Sequence, residues 1–192
     1  MRLRHGWIMR RLCSRALGRS TRPAGYARLV NNPDAFESIV GALEYPMLVA
    51  TTVAGDARSG CLVGFATQCS IHPPRYLVCV SDKNHTYRTL EAGARAIAVH
   101  VVPESAADLV ELFGGETGDD EDKFARCAWS PGPDGLPVLD DCPSWFAGRI
   151  VDRVVLGDHV GFALEPFDGR AGYDGLAFPF SRAKGIRPGH EA

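Results

Sequence analysis

Three short apolar runs, at residues 47–53, 59–65 and 76–81, constrain this chain most, because each is too short for a typical helix and each is bounded by turn-forming residues. The first is β-branched and apolar, and Ala54-Gly55-Asp56-Ala57-Arg58 after it is turn chemistry. The second run therefore reads as the returning arm of a hairpin. His72-Pro73-Pro74 breaks the pattern before the third. Further strands are expected at residues 95–102, 146–156 and 159–164, the last two joined at Gly157-Asp158. Helices are expected at residues 32–43, with Phe36, Ile39, Val40 and Leu43 on one face, and at residues 86–92 and 104–113. Residues 129–141, rich in Pro and Gly, read as a loop. Strands outnumber helices and do not alternate with them. That favours a mainly β fold, a β-barrel with a few flanking short helices, over a doubly wound sheet.

Length and composition bound the rest. A chain of 192 residues suits one domain, and 45% hydrophobic content fills a core. A net charge of -2 gives no whole-chain attraction to nucleic acid or anionic membrane. No apolar run approaches the ~20 residues needed to span a bilayer. The first 28 residues hold eight arginines and no acid. They lack the apolar stretch of a secretory signal and resemble an organelle transit peptide in composition. Residues 1–30 are read as a disordered basic tail or as translation assigned too early, with Met9 as another start. Residues 31–168 are read as the folded domain, residues 169–192 as a C-terminal tail, and the location as cytoplasmic. Cys13, Cys61, Cys69, Cys79, Cys127 and Cys142 form no C-x-x-C pair and are read as reduced core thiols.

Several enzyme signatures are missing. No G-x-G-x-x-G follows a strand, Gly114-Gly115-Glu116-Thr117-Gly118 lacks the Lys-Ser/Thr of a P-loop, and there is no H-E-x-x-H or G-x-S-x-G. The acidic run Glu104, Asp108, Glu111, Glu116, Asp119, Asp120, Glu121 and Asp122 has no fixed ligand spacing, so it is read as a solvated surface and no metal is expected.

Three local features invite chemistry. Asn84 is a helix N-cap candidate, and Lys83, Asn84 and Thr86 around a helix start suit a phosphate; an ordinary capped helix is the plain alternative. Gly64 would let a planar ring approach the backbone, or would serve only a tight barrel bend. Gly157-Asp158-His159 is either a simple hairpin turn or a turn that projects His159 into a cleft.

The order of several segments resembles the flavin reductase-like family. They are Pro46-Met47-Leu48-Val49-Ala50-Thr51-Thr52, Gly60, Cys69-Ser70-Ile71-His72-Pro73-Pro74, Asn84-His85-Thr86, Asp122-Lys123-Phe124, Gly135-Leu136-Pro137-Val138-Leu139 and Gly157-Asp158-His159. The resemblance spans roughly residues 36–165. It implies an FMN-binding split β-barrel, a homodimer, and hydride transfer from NAD(P)H to FMN or FAD, often supplying a partner monooxygenase. By this resemblance Val63, Gly64, Phe65, Ala66 and Thr67 would contact the flavin ring and ribityl chain. Ser81, Lys83, Asn84 and Thr86 would hold its phosphate, Lys123 and Phe124 would close the site, and Gly157, Asp158 and the catalytic His159 would face the nicotinamide. Val63-Gly64-Phe65-Ala66 stands where many members carry small hydroxyl residues before a Phe, and Asn84 where Ser is common. Rival readings are a non-catalytic flavin-binding module, an oxidoreductase that retains its flavin, and a β-barrel interaction protein.

Overall fold

The structure is a computed structural model that describes residues 33–172 and 174–189. The basic stretch of residues 1–30, with Cys13, lies outside the described residues. The chain divides into two units, Met1–Leu43 and Glu44–Ala192. In the first, helix α1 (Pro33–Ala42) carries Phe36 and Ile39 exposed. The second unit holds the other described elements.

Strands β1 (Leu48–Ala54) and β2 (Ala57–Val63) form the expected hairpin, closed at Ala54↔Ala57 around Gly55-Asp56. The remaining elements follow in order: β3 (Ala66–Ser70), β4 (Arg75–Ser81), α2 (His85–Glu91), β5 (Ala96–Val101), α3 (Ala107–Gly115), β6 (Trp129–Pro131), β7 (Pro137–Leu139), β8 (Trp145–Val155), β9 (His159–Arg170) and α4 (Phe180–Ala183). Seven strands make one antiparallel sheet in the order β2-β1-β5-β8-β9-β4-β3. Register shifts at Ala147/Gly148 and Ile150/Asp152 are β-bulges, which bend the long β8–β9 ribbon and let the sheet curl. The curl brings β2 near β4, yet β2 and β3 stay as unjoined edges, so the barrel is split rather than closed.

The sheet packs on one core inside its curl and on a second behind β1. Inside the curl, Leu48, Ala50, Val63, Val78, Val80, Ile97, Val99, Phe162 and Leu164 pack round Leu90 of α2. Behind β1, Val49, Val102, Leu109, Val110, Phe113, Leu139, Phe178 and Ala183 join α3, β7 and the C-terminal segment. β1 is therefore buried on both sides, which explains why its apolar residues do not alternate with exposed ones, and the hydroxyls of its buried Thr51 and Thr52 donate to the carbonyls of Pro137 and Ala96. His100 of β5 is fully buried in this region. Its Nδ1–H donates to Val49 O at 3.0 Å, and its Nε2 accepts from the Leu139 N–H at 3.2 Å. Both partners demand the neutral ring, and burial pushes its pKa down to about 4.

The structure corrects several sequence expectations. Residues 129–141 are not plain loop: β6 and β7 pair as a hairpin, because Val138 and Leu139 have a core to enter. β3 was not expected, since its polar, exposed residues show no buried face. Residues 169–192 are not simply a tail. β9 runs through Arg170, Phe178 exchanges backbone hydrogen bonds with Met47 and Val102, and Phe178 and Ala183 are buried. Cys69 is exposed rather than a core thiol; all five described cysteines are free. No described helix is long and apolar enough to cross a membrane.

Candidate functional site

At one end of the sheet, the β8–β9 turn meets the start of α2. Gly157 adopts φ +92°, a conformation that side-chain-bearing residues rarely take, so the tight return to β9 depends on it. The Leu156 N–H donates to His159 O at 2.8 Å to close the turn. Across the sheet His159 pairs with Ser81, and the Asp82 N–H donates to Asp158 O at 3.0 Å, tying this turn to the loop before α2. His159 Nδ1–H donates to the Asp158 carboxylate at 2.9 Å, leaving Nε2 as the nitrogen available to a ligand. That bond holds the Asp158 carboxyl below its usual range, with a smaller contribution from the charge of Lys83.

α2 begins as the sequence suggests. Asn84 is its N-cap, and its Oδ1 accepts from the Thr86 N–H at 2.9 Å. Lys83 is exposed beside it, and Ser81 is half-buried. Thr86 points the other way: it is buried, and its hydroxyl meets the Ser59 hydroxyl at 2.9 Å.

The link between β2 and β3 supplies a third side. A Cβ on Gly64 would lie 3.0 Å from the Tyr45 ring, a contact tight enough that the ring would have to shift by a few tenths of an ångström. Tyr45 in turn stacks on Phe180 at 4.4 Å. Phe65 accepts a backbone hydrogen bond from Cys79 at 2.9 Å, and its ring meets the His159 ring in a T-shaped contact, at 5.2 Å between centroids and 61° between planes. β3 is an edge strand, so one side of its backbone has no ladder partner among the described residues. A planar heteroaromatic ring with donors and acceptors on its edge fits such a border, and the exposed Thr67 lies along it.

The structure thus brings Gly64, Phe65, Ser81, Lys83, Asn84, Asp158 and His159 to one rim. Val63 and Ala66 belong to the core beneath it. Lys123 and Phe124 do not reach the rim. Both are buried, and the Lys123 ammonium donates to the carbonyls of Phe113 at 3.3 Å and Gly60 at 3.5 Å. Burial pushes the Lys123 pKa down. The two residues line an adjoining open pocket of about 380 Å³ with Arg58, Ser59, His85 and Asp119. There Asp119 is bound by Arg88 and by His85, and Arg88 foremost holds its carboxyl far below the usual range. Several members of the acidic run form surface ion pairs, with Asp122 on Arg58, Glu121 on Arg126 and Glu104 on Arg182. Among the described residues no cluster could hold a metal ion. Tyr45, Phe180 and Ser59 are the supporting residues that sequence reasoning missed; each acts on a partner too distant in sequence to leave a local signal.

The fold defines a class, and the comparisons agree. Residues 40–184 match the model of the flavin reductase like domain, so the chain belongs to that family. It is 31% identical over 127 residues to the FMN reductase (NADH) RutF of Bradyrhizobium diazoefficiens, covering 66% of this chain and 69% of that one. It is 33% identical over 135 residues to a probable flavin reductase of Rhizobium meliloti, covering 68% of this chain but only 41% of that longer protein. A solved flavin reductase domain protein from Arthrobacter sp. FB24 superposes with a TM-score of 0.68 at 20% identity, covering 76% of this chain and 89% of that one.

Proposed function

We propose that this protein is an NADH-dependent flavin reductase that transfers a hydride from the nicotinamide to FMN, FAD being the second acceptor to test. The observation that carries the reading is the rim itself: a left-handed Gly157 turn, a histidine fixed by Asp158, and the unpaired edge of β3 meet beside Lys83 and Asn84. The family match and the 31%-identical FMN reductase (NADH) support the choice of flavin and nicotinamide. When bound, the flavin supplies the hydride-accepting chemistry; the chain binds, orients and excludes water. In this reading the residues from Val63 to Thr67 border the flavin ring, Ser81, Lys83 and Asn84 receive its phosphate, and Thr86 and Lys123 support that end from within, with Phe124 packed beneath. Gly157 and Asp158 orient His159 so that its free Nε2 meets the nicotinamide nucleotide.

The proposal extends to assembly. By register Leu77, Ala163 and Val154 share the outward sheet face that carries this rim, and Val154 and Leu156 are exposed. A second copy of the chain is the partner that would cover them, giving a cytoplasmic homodimer that releases reduced flavin to a monooxygenase. Steady-state NADH consumption that depends on added FMN, with light scattering on the same sample, tests both parts. NADH consumption unaffected by flavin would overturn the reductase reading, and a monomer at micromolar concentration would overturn the dimer.

A further inference from the structure

From Glu44 onward, Phe65 is the one Phe, Tyr or Trp side chain among the described residues that remains exposed, at 58%. A single exposed Phe is ordinary on a surface. This one is held. Its carbonyl is tied to Cys79, the preceding Gly64 is backed by Tyr45, and Tyr45 is stacked on Phe180. The ring makes a T-shaped contact with His159, whose own orientation is set by Asp158. The result is a rigid aromatic corner with a wet surface, placed beside the histidine to which the reductase reading gives the nicotinamide.

We propose that Phe65 is a specificity-determining wall that receives the nicotinamide ring and discriminates its charge, binding the oxidised pyridinium more tightly than the neutral dihydropyridine. This rests on the reading of the protein as an NADH-dependent flavin reductase. The discrimination is electrostatic. Hydride and its electron pair leave C4 of the dihydronicotinamide for the flavin, one proton is taken up, and the nicotinamide ring is left as a cation. An aromatic face carries a negative quadrupole and attracts a cation, by an amount that depends on how far the pair is desolvated. The neutral ring gains only apolar contact from the same face. An interaction that strengthens as the charge appears favours the transition state over the bound substrate and also holds the product.

The test separates charge from bulk. Full-length protein, loaded with FMN and reduced anaerobically so that NADH has no acceptor, is titrated with NAD+ and with NADH by calorimetry, for wild type, Phe65→Leu and Phe65→Tyr. Melting curves check that each variant folds. Phe65→Leu keeps the apolar bulk and loses the quadrupole. Its NAD+ affinity is expected to fall roughly three- to thirtyfold while its NADH affinity changes by no more than about threefold. Phe65→Tyr is expected to keep the wild-type ratio of the two affinities. In turnover, Phe65→Leu shows weaker inhibition by NAD+ and a lower kcat. An unchanged ratio in Phe65→Leu, in a wild type that binds NADH and reduces FMN with it, overturns this assignment alone. A wild type that neither binds nor oxidises NADH overturns the assignment together with the reductase reading.

Discussion

Two histidines on the same sheet show how differently one side chain is used. His100 is fully buried, and both ring nitrogens are spent on backbone groups of β1 and β7. His159 sits at the open end of β9, with one nitrogen on a carboxylate and the other free. The first locks the layer behind β1 and is held neutral by burial; the second is presented. In this molecule, then, a satisfied histidine marks structure, and a half-satisfied one beside a turn marks the rim where chemistry is proposed.

The largest expected effect breaks the comparison on the structural side. His100 has a folded-state pKa of about 4 against an ordinary 6.5. Its folded pKa is depressed and the charged form is the disfavoured one, so its contribution is fully present above pH 6.5. That contribution is lost as pH falls from there toward 4, because the unfolded state takes up the proton first. The difference amounts to about 3 kcal/mol. Denaturant unfolding of wild type should weaken across that window. His100→Gln should be less stable at neutral pH, by about 2 kcal/mol or more from lost backbone partners, and should lose this acid-side slope. A variant whose slope matches wild type would show that His100 does not carry it.

The next effect acts on the other side. His159→Ala should raise the KM for NADH roughly five- to thirtyfold, the loss of one hydrogen bond of about 1–2 kcal/mol, with melting temperature and FMN affinity little changed. A drop in melting temperature with unchanged kinetics would make His159 as structural as His100 and erase the contrast.

A smaller effect sharpens the boundary between rim and interior. Asn84→Ala removes the cap of α2 and should cost about 1 kcal/mol of stability. It should also weaken FMN more than riboflavin, which lacks the phosphate. Thr86→Ala strands the buried Ser59 hydroxyl, so its loss should show in stability first and in FMN affinity only secondarily. Equal weakening of FMN and riboflavin by Asn84→Ala would remove the phosphate from this end of α2.

Much of the rim was legible because its signals are local. Asn84 announces a cap, Gly157-Asp158 announces a turn, and the runs around β1, β2, β4, β5, β8 and β9 announce strands of one sheet. What escaped depends on distant contacts. β3 is exposed and polar, so its place at the sheet edge leaves no alternation to read. The β6–β7 hairpin hides among prolines and glycines, and only the core behind β1 explains why Leu139 is apolar. The segment that ends in α4 reads as a polar tail until Phe178 meets Met47 and Val102. Lys123 stands in a family-like motif, yet its ammonium is turned under β2 toward two carbonyls, which no spacing rule encodes.

The most direct test of the central claim is a single turnover. Wild-type protein with bound FMN is mixed anaerobically with NADH in a stopped-flow instrument, and flavin absorbance is followed. The account predicts that the oxidised flavin band bleaches in one exponential phase as NADH is consumed in equal amount, and that His159→Ala reaches the same end point only at higher NADH concentrations. Flavin that stays oxidised in the wild type, or bleaching that depends on NADH identically in both proteins, would contradict it.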